Sequence, residues 1–157
     1  MYNIGDKVVY PMHGAGIIHK IEEREILGEL KDYYVLKLPF GDMKVMVPVN
    51  SSEEVGLRDI IPREKLEGVF EVLKSPSTPM ASNWNRRHRE NMEKLRSGDI
   101  LQVAGVVRNL MRVEKEKKLS TGEKKLLTNA KQILLSEMIL AGDYSQEEAE
   151  EAVNSAI

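Results

Sequence analysis

The hydrophobic period of this 157-residue chain changes once, near Asp59, and that change limits the folds it can reach. Before it, apolar and β-branched residues come in short runs between turn residues, the mark of strands. Val8, Val9 and Tyr10 form the first run and Pro11 ends it, with Gly14, Ala15 and Gly16 marking a turn or a bulge. Ile17, Ile18 and Ile21 open a run that extends through Arg24 to Ile26, and Gly28 turns the chain into Tyr33–Leu38. Pro39-Phe-Gly-Asp42 turns it again into Met43–Val47, where Val45 and Val47 alternate with Lys44 and Met46. Short strands at roughly ten-residue spacing predict a small antiparallel barrel or curled sheet. Such a module must manage its edges, because an open edge strand invites pairing with another chain.

Beyond that point the pattern is helical. Ser51-Ser-Glu-Glu54 has the form of a capped first turn that Gly56 ends. Pro62 stands near a helix start, followed by an apolar face of Leu66, Val69, Phe70 and Leu73. Ser75-Pro-Ser-Thr-Pro79 reads as a linker, since neither proline continues a helix. Ser82 or Asn83 then caps a helix that runs to Ser97 and stops at Gly98. Asp99 caps the next, whose Ile100, Val103, Ala104, Val107 and Leu110 keep the 3.6 period. Ser120-Thr-Gly-Glu123 has capping-box spacing before Leu126, Leu127, Ala130, Ile133, Leu134 and Met138. Ser145-Gln-Glu-Glu148 repeats it before Ala149, Ala152, Val153 and Ala156. The expected fold is α+β in two modules: a β module over residues 1–60 and a compact all-α module over 61–157.

Composition removes several function classes. The chain has no cysteine, which excludes a disulfide framework, a thiolate metal site and a cysteine nucleophile, and fits a reducing compartment. It has no run of about 18 apolar residues and no secretion signal at its start, so a cytoplasmic protein without membrane contact is expected. The three histidines, His13, His19 and His88, leave little for a zinc enzyme, and His13 and His19 do not stand at metal-ligand spacing with a third strong ligand, so neither a metal nor another cofactor is expected. GxxxxGKS/T, GxSxG and HExxH patterns are absent, and no constellation carries a reaction. The chain is expected not to be an enzyme and to take no small-molecule substrate.

Charge is unevenly spread behind a net −2. Residues 1–60 hold seven basic against ten acidic residues, whereas Arg86–Arg96 holds five against two and Arg108–Lys125 seven against three. No basic residue follows Lys131. A local cationic patch is therefore compatible with a sequence pI of about 6.0.

The most informative segment is Ser82–Met92. On a helical wheel Trp84 shares the face of Leu95, His88 and Met92, as a core tryptophan would, yet its place in the first turn lets it overhang the edge of the domain. Arg86, Arg87 and Arg89 lie at about 200°, 300° and 140° from it, outside the apolar arc. A solvated helix explains this pattern, and so does a nucleic-acid surface: an indole stacks on an unpaired base or wedges a distorted step while guanidiniums hold phosphates. Lys117-Lys118 and Lys124-Lys125 border the next interhelical turn and extend the same patch.

Taken together, Gly5-Asp-Lys-Val-Val-Tyr-Pro11, His13-Gly14-Ala15, Val47-Pro48, Val55-Gly-Leu-Arg-Asp59, Asn83-Trp-Asn-Arg-Arg87, Glu93–Asp99 and Leu119–Lys125 resemble the CarD/CdnL bacterial transcription regulators. The amino-terminal part is also similar to the polymerase-interacting domain of the transcription-repair coupling factor. The resemblance implies a Tudor-like β module that docks on the β subunit of RNA polymerase by a strand edge, and a helical module on promoter DNA. The matching docking positions are Arg24, Ile26 and Met46, the last standing where the family carries an arginine. Trp84 matches the family's wedge at the upstream edge of the transcription bubble, and Arg86, Arg87, Arg89 and Lys124 match its basic DNA surface. A monomer located at the nucleoid through RNA polymerase is expected. Two rival readings are a polymerase adaptor that ignores DNA and a stand-alone repressor, for which no helix-turn-helix seam is evident.

Overall fold

A computed structural model describes residues 1–157. Strands β1 (Lys7–Tyr10), β2 (Gly14–Ile26), β3 (Glu29–Lys37), β4 (Lys44–Pro48) and β5 (Arg58–Asp59) form one antiparallel sheet in the order β4-β3-β2-β1-β5. The sheet stays open and does not close into the Tudor-like barrel that the resemblance implied, the other form expected from the residues being an open curled sheet: β4 and β5 are its two edges and do not pair with each other. A 3-10 turn at Val49–Ser51 and further turns occupy the chain between them, and β5 offers only two residues to a partner. That is too little edge backbone to close a cylinder.

Two turn expectations are corrected. Gly14, Ala15 and Gly16 lie inside β2, opposite Tyr10, Val9 and Val8, and the chain reverses over Pro11–His13 instead. Gly14 leaves that reversal with a left-handed φ of 108°, and both glycines also answer a tertiary need. A Cβ on Gly14 would stand 2.7 Å from the Ser136 hydroxyl, and one on Gly16 would stand 3.1 Å from the Lys37 carbonyl oxygen. The bulge falls later, between Ile18 and Lys20. The expected helix at Ser51–Glu54 reduces to the Val49–Ser51 turn, because the Ser52 hydroxyl donates back to the Val49 carbonyl at 3.0 Å and caps nothing.

The helices are α1 (Leu66–Lys74), α2 (Trp84–Arg96), α3 (Ile100–Glu116), α4 (Thr121–Gly142) and α5 (Gln146–Ala156). Asn83, Asp99, Ser120 and Ser145 cap the last four, their side chains accepting from the backbone N–H of Arg86, Leu101, Glu123 and Glu148. Each such cap stabilises its helix by about 1 kcal/mol. Gly98 stops α2 with a left-handed φ of 72°, a backbone that side chains rarely adopt. Twenty buried residues on the helices and their connections form one core, and Val8, Ile18, Tyr34, Leu36, Val47 and Leu57 form a second on one face of the sheet.

Ser75–Pro79 is extended but not free. Arg112 donates to the carbonyls of Leu73 and Ser75 and to the Ser77 hydroxyl, and buried Arg108 donates to the Val72 carbonyl and the Thr78 hydroxyl. These arginines satisfy carbonyls at the end of α1 that would otherwise be orphaned.

The sheet is fastened to α4. Glu137, 2% exposed, accepts two hydrogen bonds from Arg58 at 2.7 and 2.8 Å and one from the Ile61 backbone at 3.0 Å. Arg58 also donates to the Gly98 carbonyl, the Ala15 N–H to the Ser136 hydroxyl, and Lys7 to the Leu140 carbonyl. Hydrogen bonds from three strands thus fix how the sheet sits on α4.

Candidate functional site

The expected docking residues meet on one side of the sheet. After the bulge, Lys20, Glu22, Arg24 and Ile26 alternate onto the same face of β2. The register sets Val35 opposite both Lys20 and Met46, so Met46 on β4 shares that face. Arg24 and Ile26 are exposed and Met46 is half-buried. Glu22 lies between two cations, 3.4 Å from Arg24 and 3.7 Å from Lys20. Solvated pairs of this kind contribute about 0–1 kcal/mol, so Arg24 can change partner at little cost. β4 is an edge strand, and one row of its backbone groups is left for a partner. At the hairpin tip, Leu27 is 99% and Leu30 65% exposed.

Some distance along the chain, Asn83 caps α2 and puts Trp84 in its first helical turn. Trp84 is 41% exposed and lies outside the twenty-residue core, which excludes the core-tryptophan reading. Its ring stacks on His88 one turn later, with centroids 4.9 Å apart and planes 10° from parallel. Its Nε1–H donates to the Ser120 hydroxyl at 3.2 Å. The start of α2 is thereby joined to the start of α4.

The four expected basic residues separate into two kinds. Arg86 and Arg89 are exposed, Arg86 in an ion pair with Glu90 at 2.9 Å one turn on and Arg89 in none. Lys124 lies in the first turn of α4, half-buried, beside a polar groove shared with Lys125, Thr128, Asn129 and Gln132. Arg87 turns inward. It donates to both carboxylate oxygens of Glu123 at 2.9 and 3.2 Å and to the carbonyls of Ala81 and Ser82. That occupies four of the five N–H donors of a guanidinium. The pair is tightly matched: the hydrogen bond raises the Arg87 pKa and, as the largest of several causes, holds the Glu123 carboxyl below its ordinary value.

Sequence reasoning passed over His88, Ser120, Gly122 and Glu123 as site residues. Ser120 and Glu123 were legible only as a helix cap, which they also form. Gly122 carried a faint signal, a glycine in the first turn of a helix at a position with no need for positive φ.

Two family models match the chain: "CarD-like/TRCF RID domain" over residues 2–61 and "CarD, C-terminal domain" over residues 68–154. The chain is also 40% identical over 138 residues to the candidate transcription factor YdeB of Bacillus subtilis (strain 168), covering 88% of this chain and 90% of that protein. The order of the matched domains is the order of the sheet and the helical bundle. The chain therefore belongs to the CarD family of transcription regulators.

Proposed function

We propose that this protein docks on the β subunit of bacterial RNA polymerase through the face and edge that carry Arg24, Ile26 and Met46, and steadies the promoter open complex with Trp84. The observation that carries this reading is the half-exposed indole, fixed at the first turn of α2 beside exposed Arg86 and Arg89. Family membership supplies the polymerase context.

Polymerase binding provides placement, and polymerase itself opens the DNA. Trp84 then packs against an unpaired base or the last paired step at the upstream fork, while Arg86, Arg89 and Lys124 hold phosphates. Arg87, engaged with Glu123, ties the start of α2 to the start of α4 instead. Base–aromatic stacking contributes about 1–3 kcal/mol, enough to delay bubble closure and too little to melt a duplex unaided. Weak DNA affinity suffices, because docking raises the effective concentration of the wedge at the fork.

Separate loss of the two contacts tests the division of labour. Arg24→Glu is expected to lose co-elution with the polymerase β subunit, and Trp84→Ala to retain it. Co-elution of Arg24→Glu at the wild-type level would refute the docking face. Lifetimes insensitive to Trp84→Ala, with docking intact, would favour the adaptor that ignores DNA.

A further inference from the structure

The proposed wedge needs an indole held in one pose, and the structure contains a fitted support for it. We infer that Gly122, with Ser120 and His88, positions Trp84: they hold the ring rigid and spend its one polar group, leaving only carbon to meet an unpaired base. This inference rests on the fork-contact reading above.

Three contacts fix the ring from different directions. His88 covers one face by parallel stacking. Ser120 holds the Nε1 edge, and its hydroxyl is fully used: it accepts from Trp84 Nε1 and from the Glu123 backbone N–H, and donates to Glu123 Oε1 at 3.4 Å. A serine hydroxyl has one proton and two lone pairs, so no capacity remains. Gly122 meets the six-membered ring, and a Cβ there would stand 2.9 Å from Cζ2 and 3.5 Å from Cη2. The first of those distances is below any real carbon contact, so the indole would have to move.

Gly122 has no local reason to be glycine. Its φ is not in the left-handed region, and alanine is the better helix former there. The indole supplies the reason. Arg87, one turn after Trp84 on α2, clamps Glu123 on α4 and so keeps the two helix starts in register. With Nε1 taken inward, Trp84 has no donor left to read a base edge. The contact it offers is the sequence-tolerant one, a ring against the face of any unpaired base.

Trp84 is the sole tryptophan, so its fluorescence reports on the pose directly. Acrylamide quenching and anisotropy would be measured on the full chain for wild type, Gly122→Ala, Ser120→Ala and Ser120→Thr. Circular dichroism would confirm folding, and open-complex lifetimes would be taken with polymerase and promoter DNA. Because overpacking forces side chains out of their rotamers, Gly122→Ala is expected to raise quenching about twofold or more and to lower anisotropy. Its lifetime should fall to that of Trp84→Ala, with polymerase co-elution unchanged. Ser120→Ala should move in the same direction, and Ser120→Thr, which keeps the hydroxyl, should stay near wild type. Wild-type quenching and anisotropy in both alanine variants would overturn the support. A loosened indole with a wild-type lifetime would overturn its role in positioning. If wild type itself leaves the lifetime unchanged, the fork-contact reading fails, and the fluorescence alone decides whether the support exists.

Discussion

Under the proposed role, Trp84 answers two conflicting requirements: an indole gains by burial, and a wedge must be exposed. Its 41% exposure is the compromise, with His88 and Gly122 covering part of the ring. Removing a fully buried tryptophan costs about 3–5 kcal/mol, and the partial exposure of Trp84 lowers the expected cost of Trp84→Ala to about 1–2 kcal/mol. Urea unfolding checks this, and a loss in the full-burial range would mean that the ring belongs to the core. The Arg87–Glu123 pair, which joins the same two helix starts, is sensitive to pH. Because the folded carboxyl titrates below the ordinary glutamate value of 4.5, its stabilisation is complete above that value and is lost as pH falls through the lower, folded pKa. An acid titration of unfolding free energy should therefore fall less steeply in Glu123→Gln than in wild type. Trp84 and Arg87 stood out in the sequence by type and spacing. Their partner Ser120 lies 36 residues from Trp84, and Glu123 lies 36 from Arg87, a separation that helical periodicity does not reach.

Among the elements, the helices were the more legible, because a cap and a 3.6 period are local signals. Asn83, Asp99, Ser120 and Ser145 each cap the helix that the sequence assigned to them or left as one of two choices. Gly14–Gly16 misled only in part: Gly14 takes a φ of 108° as the chain leaves the Pro11–His13 reversal, but both glycines lie in β2, where they admit Ser136 of α4 and the Lys37 carbonyl. Sheet closure was illegible because it depends on whether distant edges meet. β5 matters more than its two residues imply: it carries Arg58, whose partner Glu137 is almost fully buried. Breaking a buried pair leaves a charge without compensation at about 3–5 kcal/mol, and the partial exposure of Arg58 places Arg58→Ala near 3 kcal/mol. Equilibrium unfolding measures this, and a loss below about 1 kcal/mol would reduce the pair to a solvated contact.

For the whole molecule, the hydrogen bonds from β1, β2 and β5 to α4 bear directly on the proposed function. They hold the Arg24 face and the Trp84 corner in one frame, so docking at the first, as proposed, would deliver the second to a set position. The distribution of charge agrees with the proposed division: the β half is acidic, and cations gather where α2 and α4 begin. The decisive measurement is the lifetime of a promoter open complex formed by cognate RNA polymerase, challenged with competitor, in three samples: no factor, wild type and folded Trp84→Ala. Stacking of about 1–3 kcal/mol corresponds to a lifetime lengthened about five- to 150-fold by wild type. Trp84→Ala should return it to the level of polymerase alone. Equal lengthening by both proteins would contradict the wedge, and no lengthening by either, with polymerase still bound, would contradict the stabilisation of the open complex altogether.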